Sequence, residues 1–169
     1  MRYQEQSSVL DPLLGDFIEP IMKFMQIHTR VCCKKGEHNL SWDVTQLYEL
    51  IFNLCNVRGH KTVVKFFPHE AADLEPVVEM LHFQNSQQYW ITCMLCLWLS
   101  IIVIVPFDIT SIDSKKEGDS YEILVKRILN IGKEHITNAG KIRDYASIMV
   151  SKLITRPDCI KTGETKNFL

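Results

Sequence analysis

An excess of charge of one sign is the first thing missing from this chain. Its 19 lysines and arginines stand against 20 aspartates and glutamates, a formal net charge of −1 over 169 residues. No chain-wide field therefore points to nucleic acid or to an anionic membrane, and short clusters such as Lys34-Lys35 and Lys115-Lys116 read as solvated loop charge. Missing too are the strings that carry common chemistries. Neither GxxxxGK[ST] nor GxGxxG occurs, which sets aside nucleotide binding by a phosphate loop, and the six histidines contain no HExxH. His69-Glu70 has no nucleophile or metal partner beside it in sequence. The carboxylate pairs Asp73/Glu75 and Asp108/Asp113 fall at helix starts, where capping explains them. Cys93-Met-Leu-Cys96 has CxxC spacing on one helix face, but no second pair completes a zinc site, and its neighbours are Leu, Met and Trp. A small hydrophobic role outweighs a redox one for these thiols. No catalytic residue, metal ligand or cofactor is assigned.

Also lacking is an apolar leader. Met1–Gln6 is polar, so no signal peptide is expected. The six cysteines, Cys32, Cys33, Cys55, Cys93, Cys96 and Cys159, are then expected as reduced thiols in a cytosolic, reducing compartment. The sequon Asn39-Leu40-Ser41 becomes a chance match.

What is present is a globular balance, 46% apolar and 23% charged, arranged at helical spacing with no convincing strand alternation. Asp11-Pro12 reads as an N-cap carboxylate followed by proline at the first helical position. Leu13, Phe17, Ile21 and Phe24 then form one apolar stripe and Leu14, Ile18, Met22 and Met25 a second, a broad face suited to more than one neighbour. Pro20 should bend this helix. Ser41 is the next expected cap, with Leu47, Ile51 and Leu54 inward, Leu50 adjoining them and Gly59 as the stop. A short helix over Thr62–Phe67 runs into Pro68, and Asp73 is expected to cap a helix through Val77, Val78, Met80 and Leu81. Asn85 or Ser86 opens a long apolar helix, and a polar linker covers Asp108–Asp119. Ser120 and Asn138 are the last two expected caps. Leu124, Ile128 and Ile131 face inward on one helix, weakened near its end by Gly132, and Ile142, Ala146, Met149, Val150 and Leu153 on the next. Pro157 ends it.

The uncharged run Trp90–Phe107 is 18 residues long, the lower limit for a membrane span. Pro106, Thr92, Ser100 and the lack of flanking Lys/Arg asymmetry argue instead for a buried central helix, and no span is expected. A membrane anchor and a buried strand over Ile101–Val105 stay open as alternatives. Antiparallel helices with short connectors give either a bundle or a stack of helical hairpins. Recurrence of corresponding helices at about 35–45 residues, the HEAT and armadillo range, separates the two only weakly.

The segment Val57–Val77 has cations first and acids after. One reading is a solvated turn followed by an acidic helix start. The other makes Arg58, His60, Lys61, Lys65 and Glu70 a polar rim around Phe66 and Phe67 on which a partner docks.

Several strings carry a resemblance: Arg2–Gln6, Val57-Arg-Gly-His-Lys-Thr62, Phe67-Pro-His-Glu-Ala71, Leu97-Trp-Leu-Ser100, Pro106-Phe-Asp108 and Ile154-Thr-Arg-Pro-Asp158. Together, and in this order, they resemble the N-terminal region of the tubulin-specific chaperone D (tubulin-folding cofactor D) family. That resemblance implies an all-α fold: a truncated α-solenoid of antiparallel helix pairs, HEAT/armadillo-like, over 1–160, with a polar tail over 161–169. It also implies a non-enzymatic, cytoplasmic scaffold linked to the microtubule cytoskeleton. In the family this scaffold captures β-tubulin and works with tubulin-folding cofactors E and C and an Arf-like small GTPase. It assembles the αβ heterodimer and, with cofactor C, promotes GTP hydrolysis by tubulin. Family members are several times longer than this stretch.

Overall fold

In the computed structural model, residues 7–37, 39–84, 88–106, 109 and 120–162 are described. They form α1 (Asp11–Lys35), α2 (Trp42–Arg58), α3 (His60–Val63), α4 (Leu74–Phe83), α5 (Tyr89–Ile102), α6 (Ser120–Ile136), α7 (Lys141–Ile154) and α8 (Pro157–Thr162). Single 3-10 turns cover Ser7–Leu10, Val64–Phe66 and Ala71–Asp73, and no strand occurs among the described residues.

Side-chain contacts fix how these helices are stacked. Gln26 and Arg30 of α1 reach Asp73 at the start of α4, and Cys33, further along α1, reaches Glu79, further along α4. The two helices therefore run the same way. Near the end of α5, Ser100 accepts from Lys152 near the end of α7, so that pair is parallel as well. Phe52 of α2 meets Tyr89 at the start of α5. Helices α6 and α7 pack against each other across the four-residue connector 137–140, with Gly132 against Val150, and so close a connector makes this last pair a hairpin. Two rows result, α1–α4–α6 and α2–α5–α7, with α5 against both its row neighbours and α4. Parallel neighbours within a row distinguish a solenoid of repeated hairpins from an up-and-down bundle, which the sequence spacing alone did not decide.

The uncharged run is the core of this stack. All ten residues from Ile91 to Ser100 are buried, so the helix keeps no side for lipid or water. No helix among the described residues is long and apolar enough to cross a membrane. Helix α5 stops at Ile102, and Val103–Pro106 turn away with no strand pairing. Both alternatives for this run, a membrane anchor and a strand through Ile101–Val105, are thus corrected. Phe107 lies outside the described residues.

Two residues of the last string have structural roles. Arg156 donates from Nη1 to the carbonyls of Val103 (2.5 Å) and Val105 (3.0 Å), closing the end of α5. Pro157 then opens α8, where its missing N–H is harmless.

Several local expectations are revised. The carboxylates of Asp11 and Asp73 cap no helix, because each is drawn to a distant cation instead. Ser41 does stand at the start of α2, yet its hydroxyl makes no cap hydrogen bond. Helix α7 begins at Lys141 after Gly140, whose φ of 76° suits glycine, and not at Asn138. Helix α1 continues through Pro20, whose lost N–H falls on the exposed side. Of the two stripes on α1 only Leu14, Ile18, Met22 and Met25 are buried; Leu13, Phe17 and Phe24 are exposed. On α2 the buried set is Val44, Tyr48, Ile51, Phe52 and Cys55, with Leu50 outside. Gly132 is a packing residue: a Cβ there would lie 2.3 Å from Val150 Cγ2. The helix start at Asn85 or Ser86, the linker Asp108–Asp119 apart from Ile109, and the tail beyond Thr162 lie outside the described residues, as does the Ser120 side chain.

Candidate interaction site

Where α1 passes the stretch linking α3 to α4, the surface opens into a cleft of about 330 Å³. Glu19, Lys23 and Gln26 of α1 form one wall, and Lys65 through Glu70 form the other. These α1 residues fall at i, i+4 and i+7, a polar stripe beside the buried one, which is why a single helix presents both. The opposite wall is held in place from below. Phe67 is buried, and Trp98 Nε1 of α5 donates to the Pro68 carbonyl at 2.7 Å. Phe66 lies over Gly15, where a Cβ would meet its ring edge at 3.4 Å.

A charged network ties the two walls together. Asp73, 1% exposed, accepts from Gln26 Nε2 at 2.6 Å and Arg30 Nε at 2.5 Å. Arg30 Nη2 also donates to Glu70 at 2.7 Å. A buried carboxylate needs this degree of satisfaction, since stripping one partner from a buried ion pair typically costs several kcal/mol. Lys23 donates to Gln26 Oε1 at 3.0 Å and stands 3.8 Å from Glu70. The hydrogen bond from Arg30, seconded by Gln26, holds the Glu70 carboxyl below its ordinary range. The cleft is therefore charged at physiological pH and floored by phenylalanine and proline, a combination suited to a peptide side chain with both a polar and an apolar part.

Of the five residues singled out from sequence, Lys65 and Glu70 line this cleft. Arg58 lies at the end of α2 and binds both carboxylate oxygens of Asp11, with Nη2 to Oδ2 at 2.6 Å. Lys65 also acts on that Asp11 carboxylate, so Arg58 adjoins the cleft without lining it. His60 points elsewhere, its ring edge-on to Tyr145 of α7 at 5.4 Å. Burial, then Lys61, Lys141 and Lys152, lower its pKa. Lys61 is exposed on α3 and lines no part of the cleft. Glu19, Lys23, Gln26 and His69 complete the cleft and were not singled out from sequence; the polar stripe at 19, 23, 26 and 30 was the available signal.

The thiols lie elsewhere. Cys93 and Cys96 are fully buried in α5, and burial pushes Cys93 up to about 12 and raises Cys96 as well. A redox pair needs accessible thiolate, which this environment opposes. Among the described residues no three His, Cys, Asp or Glu side chains are grouped to hold a metal ion.

Parallel rows of helix pairs built around a central apolar helix define an armadillo-type helical-repeat protein. The family model for the tubulin-specific chaperone D-like ARM repeat matches residues 1–169, and the chain belongs to that family. Two curated relatives illustrate the distance. Tubulin-specific chaperone D of Dictyostelium discoideum is 24% identical over 254 residues, covering 93% of this chain and 17% of the relative. Tubulin-folding cofactor D of Schizosaccharomyces pombe (strain 972 / ATCC 24843) is 23% identical over 155 residues, covering 92% and 13% respectively. The chain thus spans less than a fifth of the length of these relatives. No solved structure matches it.

Proposed function

We propose that this helical-repeat segment is a protein-binding surface for β-tubulin, working in the cytoplasm in tubulin folding and αβ-heterodimer assembly. Membership of the chaperone D family across the whole chain is the observation that carries this reading. The cleft between α1 and Lys65–Glu70 is its contact point: Lys23 and Lys65 meet acidic groups of the partner, and Phe66 supplies apolar contact. Arg58 and Lys61 extend the basic edge, and His60 braces α3 against α7. The handling of cofactors E and C, of an Arf-like GTPase and of tubulin GTP hydrolysis belongs to the longer family protein, with this segment as one part of its surface.

The test is retention of β-tubulin by the immobilised 169-residue chain, beside a chain extended by further repeats. Both are expected to retain it. Lys23→Glu with Lys65→Glu should weaken retention at least about tenfold while the circular dichroism spectrum stays helical. If neither chain retains β-tubulin, the reading is wrong; equal retention by the charge variant removes the cleft from it.

A further inference from the structure

Helix α7 carries a stripe at i, i+4, i+7 and i+11: Lys141, Tyr145, Ile148 and Lys152. At about 100° per residue the four fall within one narrow sector of the helix. Its neighbours are α3 and α5. The His60 ring of α3 lies edge-on to Tyr145 at 5.4 Å, and Lys152 Nζ donates to the buried Ser100 Oγ of α5 at 3.4 Å. The stripe therefore runs along the side of α7 turned into the stack. A repeat packed beyond α7 lies on that helix's other side.

Cations collect here without acids. Burial first, then Lys61, Lys141 and Lys152, lower the His60 pKa, so all three ammonium groups stand around that ring. Lys61 and Lys141 are exposed; Lys152 is half-buried, with a neutral hydroxyl as its acceptor. Among the described residues no carboxylate comes within ion-pair distance of any of the three. Asp144, one turn on from Lys141, stands instead 3.7 Å from Arg143. Lys23, Arg30 and Arg58, by contrast, each sit beside a carboxylate of another element. A half-buried ammonium without a counter-charge is costly, and like charges gathered together add to that cost. An anion from outside relieves both.

From this arrangement we infer that the face between α3 and α7 binds an extended acidic segment of a protein partner, its carboxylates meeting Lys61, Lys141 and Lys152. Length selects this ligand. Lys141 and Lys152 leave α7 about 16 Å apart, and an extended chain covers that distance in about five residues. One phosphate group is only a few ångströms across, and Lys152 is held at Ser100. Nucleic acid calls for a wider field than a chain of net charge −1 supplies. Ile148, half-buried between the two lysines, gives the segment an apolar strip to lie on. Charge carries this binding and the cleft beside α1 takes no part in it, so the test needs no tubulin.

Fluorescence anisotropy of labelled octaglutamate with the 169-residue chain, beside labelled octaglutamine, tests this. Octaglutamate is expected to bind saturably at about 20 mM NaCl, at least about threefold more weakly at about 150 mM, and octaglutamine not at all. Lys141→Glu with Lys152→Glu should weaken binding at least about tenfold. Lys61→Glu with Lys141→Glu, both exposed, should do the same with no packing at stake, its circular dichroism spectrum and melting curve matching the parent's. Lys34→Glu, in the last turn of α1, should change nothing. Absence of saturable octaglutamate binding at low salt overturns the inference, as does binding that survives both double variants. Tighter binding of octathymidylate than of octaglutamate overturns it in favour of nucleic acid. Displacement of the peptide by inorganic phosphate beyond that by chloride at equal ionic strength overturns it in favour of a single-anion site. Retention of β-tubulin is measured separately through Lys23 and Lys65, so the two readings fail independently.

Discussion

Replacing Gly132 by alanine tests the α6–α7 contact with two opposing effects of known size. Alanine is the better helix former by about 1 kcal/mol, so an isolated α6 would gain from the change. In the protein the new Cβ would stand 2.3 Å from Val150 Cγ2 and 3.4 Å from Met149 Cε. Both of those residues are buried, with 2% and 0% of their surface exposed. Methionine can swing its terminal methyl aside. Valine in a helix is held in one dominant rotamer, so Val150 cannot turn away and the two helices must part by roughly 1 Å or more. A gap of that size forfeits a quarter to a half of each dispersion contact along the seam, and overpacking of this kind costs about 1–3 kcal/mol. Taking the upper end and subtracting the propensity gain leaves a net loss of about 2 kcal/mol, or a fall in Tm of about 4–8 °C for a chain of this size. Urea and thermal unfolding followed by circular dichroism would measure it. A double-mutant cycle with Val150→Ala isolates the cause, because the alanine methyl then enters space that the valine has vacated, and the coupling should exceed about 1 kcal/mol in the stabilising direction. A Tm for Gly132→Ala equal to or above the parent's would mean that helix propensity governs the site and that α6 does not lie against α7 as described.

Trp98→Phe keeps most of the apolar bulk of a fully buried side chain but deletes the donor to the Pro68 carbonyl, so a loss of about 1–3 kcal/mol is expected in the same unfolding assay. The variant should also weaken β-tubulin retention, because the bond secures one wall of the cleft. The buried thiols give an alkaline limit. Burial raises Cys55 and Cys93 from 9.0 to about 12, so the unfolded chain loses these protons first. Their stability contribution is complete below about pH 9 and drains as the pH rises toward 12. Unfolding midpoints at about pH 8 and 10.5 should differ accordingly. Iodoacetamide should leave Cys55, Cys93 and Cys96 unmodified in the native chain and label them in urea; prompt native labelling would contradict their burial.

The sequence disclosed some of this fold and hid the rest for identifiable reasons. Helix α5 was legible because an uncharged run too short and too interrupted to span a bilayer has few other places to go. The buried stripe of α1 was not distinguishable from its neighbour, since Phe17 and Ile18 look equally suited to a core and the choice between them is made by α4, α2 and the Val64–Phe66 turn packing on one side of the helix. Asp11 and Asp73 were misread as caps because capping is local, whereas the cations that claim them, Arg58 and Arg30, lie more than 40 residues away in sequence. Gly132 read as a helix weakener because its close approach to Val150 is a tertiary fact. The cleft was half visible: Lys65, Phe66, Phe67 and Glu70 stood out as one segment, but the wall from α1 comes from a helix that begins 54 residues before Lys65.

Helix α5 is apolar on every side and touches a row neighbour on each flank. That restricts how a gene for such a protein can be cut or rearranged. Loss or exchange at the periphery exposes at most one greasy surface, which a new neighbour can cover. A boundary placed on either side of α5 strands a rod with nowhere to hide and invites precipitation. Exon junctions, domain fusions and expression boundaries should therefore keep α5 together with the helices that cover it, α2, α4 and α7.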